Sequence, residues 1–164
     1  MDEDTASRIG WGVVLGGEVF DLEDWQEALK QPFDPWIMET EDGLILHSSL
    51  LDPATTSSES YERAKALMEQ VNGALGVSHR AGVVRLEGIV EILPDGTRRR
   101  HVFMELRGGE LRSKVRAVGV VLGSDGKPKP APPPEPSNPQ RWLSVAAEDD
   151  LLADALTYFA RGDD

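Results

Sequence analysis

The 164 residues carry 29 acidic against 17 basic side chains, a formal net charge of −12, within an otherwise globular usage of 40% hydrophobic and 28% charged residues. A chain of this length and make-up buries a sizeable core, which excludes wholesale disorder. The absence of cysteine removes disulfides, thiolate zinc sites and thiol nucleophiles, and no apolar run approaches the ~20 residues that span a bilayer.

Ile9, Trp11, Val13 and Leu15 alternate as one face of a first strand. Gly16-Gly17 offers a tight turn, and Val19-Phe20 is expected to return beside that strand. Asp21 is expected to cap a short helix in which Leu22, Trp25 and Leu29 recur at helical spacing, closed by Pro32 and Pro35. Residues 36–41 and 44–49 read as a hairpin around Asp42-Gly43, a dipeptide suited to a type I′ turn, with Met38 facing His47 and Thr40 facing Ile45. Thr56-Ser-Ser-Glu59 is a capping box. It opens a helix whose stripe is Tyr61, Ala64, Met68, Val71 and Leu75, with Gly76 at the left-handed stop position.

Residues 82–93 and 97–107 form a second hairpin, turned by Pro94-Asp95-Gly96 as a type I turn followed by a glycine suited to positive φ. Pairing Leu93 with Thr97 sets Leu86 opposite Met104 and Val84 opposite Leu106. On the other face Arg85 meets Glu105 and Glu91 meets Arg99. Residues 113–122 read as the third strand of a meander. Seven prolines between Lys127 and Gln140 make an extended surface strap over 127–140. A C-terminal helix over 146–161 follows, with Glu148, Asp149 and Asp150 in its first turn and Arg161 in its last. Leu152, Ala155, Leu156 and Phe159 give that helix its apolar face. The fold class is α+β: an antiparallel sheet built from consecutive hairpins, with about three helices packed mainly on one face. Residues 1–164 are expected to make a single domain.

The acidity is local. Residues 1–60 hold 14 acids against Arg8 and Lys30, whereas residues 80–116 hold nine Arg/Lys against five acids. Net repulsion from phosphates argues against nucleic acid as a partner, and only the basic middle segment opposes that repulsion. Arg98-Arg99-Arg100 is its densest cluster and the first place to look for an acidic protein partner or an anion. The glycines of Gly10-x-Gly12-x-x-x-Gly16 lie inside apolar strand sequence, so they read as packing around Trp11 and not as a phosphate-binding turn.

Paired carboxylates at Glu39/Glu41/Asp42 and at Glu148/Asp149/Asp150 read respectively as a strand ending in a turn and as a helix N-terminus. His47, His79 and His101 lack metal-ligand spacing. Lys127-Pro-Lys-Pro130-Ala-Pro-Pro133 matches a loose ligand pattern for SH3 domains, but any proline-rich linker does so readily. No metal site and no cofactor are expected.

The polarity of charge, without a catalytic constellation, points to a non-catalytic protein-interaction or adaptor module, either with a protein partner or by self-association. The alternative is an enzyme or small-molecule binder whose site is assembled only by folding. Glu39, His47, His101 and Glu105 are then the first candidate catalytic groups. The chain being one domain of a longer protein is a further alternative. The acidic opening residues lack the apolar core of a secretory signal, so a cytoplasmic protein with no membrane association is expected.

Overall fold

The alternating segment at the start of the chain forms the central strand of a sheet. The computed structural model describes residues 10–102 and 133–161, and the sheet is built around β1 (Gly10–Gly16). Joining it are β2 (Trp36–Thr40), β3 (Gly43–His47), β4 (Arg85–Ile92) and β5 (Arg98–His101). Their order is β2-β3-β1-β4-β5, and every pairing is antiparallel. The helices are α1 (Val19–Ala28), α2 (Ser57–His79), α3 (Asn138–Ala146) and α4 (Asp150–Arg161). This is the expected α+β architecture, with four described helices layered on the antiparallel sheet.

The β4–β5 hairpin has the expected register. Glu91 lies opposite Arg99, Leu93 donates its N–H to the Thr97 carbonyl at 2.9 Å, and Gly96 takes φ +83°. Met104, Glu105, Leu106, the strand expected at 113–122 and the strap as far as residue 132 lie outside the described residues. The β2–β3 hairpin is two residues out of the expected register: Met38 pairs with Ile45 and Thr40 with Gly43. The Thr40 hydroxyl accepts from Asp42 N–H at 3.2 Å and donates to the Gly43 carbonyl at 3.1 Å, so the turn is Glu41-Asp42. A two-residue slip returns every side chain to its expected face, which is why the alternation alone does not detect it.

One sheet face, with Trp11, Val13, Leu15, Leu46 and Ile89, meets the helices in a core that includes Trp25, Leu29, Leu67, Val71, Leu75, Leu143 and Leu156. Full burial of such side chains stabilises the fold by roughly 1.5–3 kcal/mol each. Trp11 also donates its indole N–H to the Ala54 carbonyl at 2.9 Å. The opposite face carries a smaller cluster of Val14, Ile45 and Val90. Glycines alternate through this second face, and a Cβ on Gly12 would fall 2.4 Å from Ile45 Cγ2.

The register sets Asp42 beyond the Gly16 end of the sheet and Arg98 beside Gly10 at the other end, three strands away. A flat sheet would hold those corners more than about 20 Å apart. Their ion pair closes at 3.1 Å, so the sheet is strongly coiled and its diagonal corners meet over the glycine-rich face.

Several helix boundaries differ from the sequence reading. Val19 and Phe20 belong to α1 and form no return strand, and Glu18 is its N-cap. Asp21 is not the cap: it is buried and accepts the Gly82 N–H at 2.7 Å. Thr56 caps α2 by accepting Glu59 N–H at 3.1 Å. The Glu59 carboxylate, however, reaches the N–H and hydroxyl of Thr55 at 3.0 and 3.1 Å, one residue before the expected partner. Helix α2 continues through Gly76 to His79 and leaves at Arg80, φ +51°. The Asn72 amide holds that exit by bonding both Val84 N–H and C=O, at 2.8 and 2.9 Å.

The end of the proline strap turns helical as α3, which was not expected, and the helix expected at 146–161 begins only at Asp150, as α4. Ser137 and Gln140 cap α3 reciprocally, and Pro139 fits a first turn where no N–H bond is lost. Gln140 Nε2 lies 2.9, 3.2 and 2.9 Å from the carbonyls of Lys30, Phe33 and Pro35, which pins α3 to the loop before β2. Asp149 restarts the chain as α4 by accepting the N–H groups of Leu151 and Leu152 at 2.9 and 3.3 Å. Helices α2 and α4 pack antiparallel, with Gly73 against Leu156 and Glu69 near Arg161.

Candidate functional site

The sheet distributes the sequence candidates over different surfaces. Glu39 is exposed on edge strand β2, opposite Leu44 and on the helix side of the sheet. His47 points to the other face, stacked on Trp36 with ring centroids 4.3 Å apart. Burial holds the His47 imidazole below the ordinary histidine range, and its Nε2 has no hydrogen-bond partner among the described residues. His101 sits on β5, at the other end of the described strand order, its ring 6.2 Å from Trp11 and its Nε2 3.7 Å from the Glu91 carboxylate. The fourth candidate, Glu105, lies outside the described residues.

The arginine triplet is divided by the strand alternation. Arg98 and Arg100 lie opposite Ile92 and Val90 on the glycine-rich face, and Arg99 lies opposite Glu91 on the helix side. Arg98 is engaged by Asp42. Among the described residues no group of three or more His, Asp and Glu side chains is placed to hold a metal ion, and no helix is long and apolar enough to cross a membrane.

Two surface features were not singled out from the sequence. The first is a groove of about 560 Å³ between α3 and the 3₁₀ turn Ser49–Leu51. Leu67, Leu143 and Val145 line it together with Asp34, Ser48 and Arg141. Asp34 is occupied within it, accepting from both the N–H and the hydroxyl of Ser49. The apolar lining with a few polar groups has the composition of a small-molecule cleft.

The second feature is the outer side of α4. At 100° per residue, its apolar side chains run in the order Tyr158, Leu151, Ala155, Phe159, Leu152, Leu156, Ala160, Ala153, an arc of roughly 220°. A surface helix ordinarily needs little more than 100° of apolar surface. Leu156 at one side of the arc is buried against α2, while Leu151, Tyr158 and Phe159 are 82%, 65% and 59% exposed. Tyr158 and Phe159 meet edge to face with centroids 6.1 Å apart. Phe159 was expected in the buried face and lies outside it, because Leu156 and Gly73 set the crossing and turn Phe159 outward. The width of the apolar arc is the signal in the sequence that reveals this surface.

Comparison with protein-family models, with curated proteins and with solved structures finds no match to this chain. The functional reading therefore rests on its own geometry.

Proposed function

We propose that the protein is a non-catalytic interaction or adaptor module that engages a protein through the outer side of α4. The observation that carries this reading is the row Leu151, Ala155, Tyr158 and Phe159, with its three large members more than half exposed. Exposed apolar patches with paired aromatics mark association surfaces, since single scattered apolar residues are normal and clustered ones are not. The uneven charge supports the same reading, because an acidic first third and a basic middle segment steer encounter and orient a partner.

The test is a variant carrying Leu151→Ser, Tyr158→Ser and Phe159→Ser. It keeps the wild-type melting temperature and loses the proteins, including copies of itself, that co-isolate with the tagged wild-type chain from its native cells. An unchanged set of associated proteins would sink this reading.

A second reading, a small-molecule binder, is supported by the groove between α3 and the 3₁₀ turn, whose volume lies within the range of ligand clefts. Its test is a library screen by thermal shift. Hits are lost in Val145→Arg and retained in Phe159→Ser, and a screen without Val145-sensitive hits removes this reading.

A further inference from the structure

We propose that the groove between α3 and the 3₁₀ turn binds a small primary amine with an apolar body, whose ammonium group is held by Asp34. This rests on the small-molecule reading of that groove and adds the chemical class of the ligand. It does not depend on what α4 engages.

The apolar body is set by the walls. Leu67 and Leu143 line the groove and are themselves core residues. Leu50 and Val145 line it as well and remain 41% and 53% exposed. A hydrocarbon group laid between them covers apolar surface that the fold leaves wet, the ordinary driving force for filling such a cleft.

The charge of the head group is set by the ionisable lining, which is Asp34, Arg141 and Glu148. Arg141 is engaged by Glu135, with its guanidinium 3.3 Å from that carboxylate. Neither Asp34 nor Glu148 enters an ion pair among the described residues. The C-terminal turn of α3, which brings Val145 to the groove ahead of Glu148, adds the negative end of a helix dipole. A ligand carboxylate would meet two acids and an arginine already taken, so the same lining selects against acids.

Asp34 is the carboxylate prepared for the ammonium. Its Oδ2 accepts both the N–H and the hydroxyl of Ser49, and no described residue donates to Oδ1. Gln140 bonds the carbonyls of Phe33 and Pro35 on either side of it, at 3.2 and 2.9 Å, so the acid sits on a tethered loop and binding needs little reordering. Asp52, which ends the 3₁₀ turn, places a second negative charge nearby. Burial and the charge of Asp34 raise the Asp52 carboxyl above the ordinary range, as neighbouring acids without a cation between them do. A bound ammonium relieves that repulsion.

The experiment measures Kd on the purified chain for three probes with one body, 4-phenylbutylamine, 4-phenylbutanol and 4-phenylbutanoate, beside the library screen. The amine binds about tenfold tighter than the alcohol, the carboxylate binds weakest, and basic amines are enriched among the Val145-sensitive hits. Asp34→Asn removes the advantage of the amine and leaves the affinity for the alcohol unchanged, which a merely loosened loop would not do. Asp52→Asn, a milder change on the same turn, lowers that advantage about two- to threefold.

An amine preference that survives both variants is the general pull of a chain of net charge −12 on cations, and it overturns the proposal. Val145-sensitive hits with no amine preference overturn it too and leave the small-molecule reading standing. A screen without Val145-sensitive hits removes both.

Discussion

Helices α2 and α4 lie side by side, and they use their apolar residues differently. In α2, Ala64, Leu67, Met68, Val71, Ala74 and Leu75 are all buried, because the sheet takes one side of the helix and α3 and α4 take others. In α4, Leu156 alone is buried, although the apolar arc of this helix is wider. Among the described residues helix α4 is the outer layer, with α2 and α3 on its inner side. An inner helix needs apolar residues on several sides to be stable where it is. An outer helix with the same requirement has a side still to cover, and that surplus is the physical basis of the interaction proposed for it.

The contrast within α4 gives the largest expected effect. Leu156→Ala should lower stability by about 2–5 kcal/mol in urea unfolding, since it leaves a cavity against α2. Phe159→Ser, only three residues on, should change it by less than about 0.5 kcal/mol. Equal losses would mean that the two sides of α4 are not different after all. Next in size is Gly73→Leu. A Cβ there falls 1.8 Å from the Leu156 carbonyl oxygen, so the larger side chain forces the helices apart at a cost of about 1–3 kcal/mol. The same change at Gly76, where a Cβ meets nothing within 4 Å, should be near neutral. Thr56→Ala should cost about 1 kcal/mol by removing the cap of α2, read as a shift in the denaturation midpoint at unchanged slope.

The smallest effect distinguishes the two sheet faces and is a pH dependence. Burial on the glycine-rich face disfavours the charged form of His47. The unfolded chain, with its histidine near the ordinary value of about 6.5, therefore binds the proton more readily. Stability should rise with pH through the window just below that value and level off above it. His47→Gln should flatten this slope, and an unaltered slope would place its origin elsewhere.

The parts of the fold that were legible in the sequence are those where a local signal and the tertiary arrangement agree. The Pro94–Gly96 turn carries a type I turn and a positive-φ glycine at the required positions, so the β4–β5 register followed from it. The helix from Thr56 was equally plain, because one hydroxyl at the cap and a continuous stripe point the same way. Signals failed where another contact outweighed them. Gly76 looks like a helix stop, but Asn72 and Val84 carry the helix on to His79. Asp21 looks like a cap, yet the loop at Gly82 claims its carboxylate. Ser137 and Gln140 spell a capping box that the proline count around them concealed.

The candidate surface was half legible. Leu152, Ala155, Leu156 and Phe159 were read as one apolar face, but which part of the arc is buried depends on Gly73, 83 positions earlier in the chain than Leu156. No periodicity within α4 contains that information. The arrangement of Arg98 over the coiled sheet has the same character, since its partner Asp42 is brought near only by the coiling.

The most direct test is photo-cross-linking in the native cells from a benzophenone side chain placed at Tyr158 and, separately, at Val19. Both positions are about two-thirds exposed, at 65% and 66%, so accessibility alone treats them alike. The interaction surface proposed for α4 predicts discrete cross-linked products from position 158 and none of them from position 19. Identical products from the two positions, or none from position 158, would contradict it.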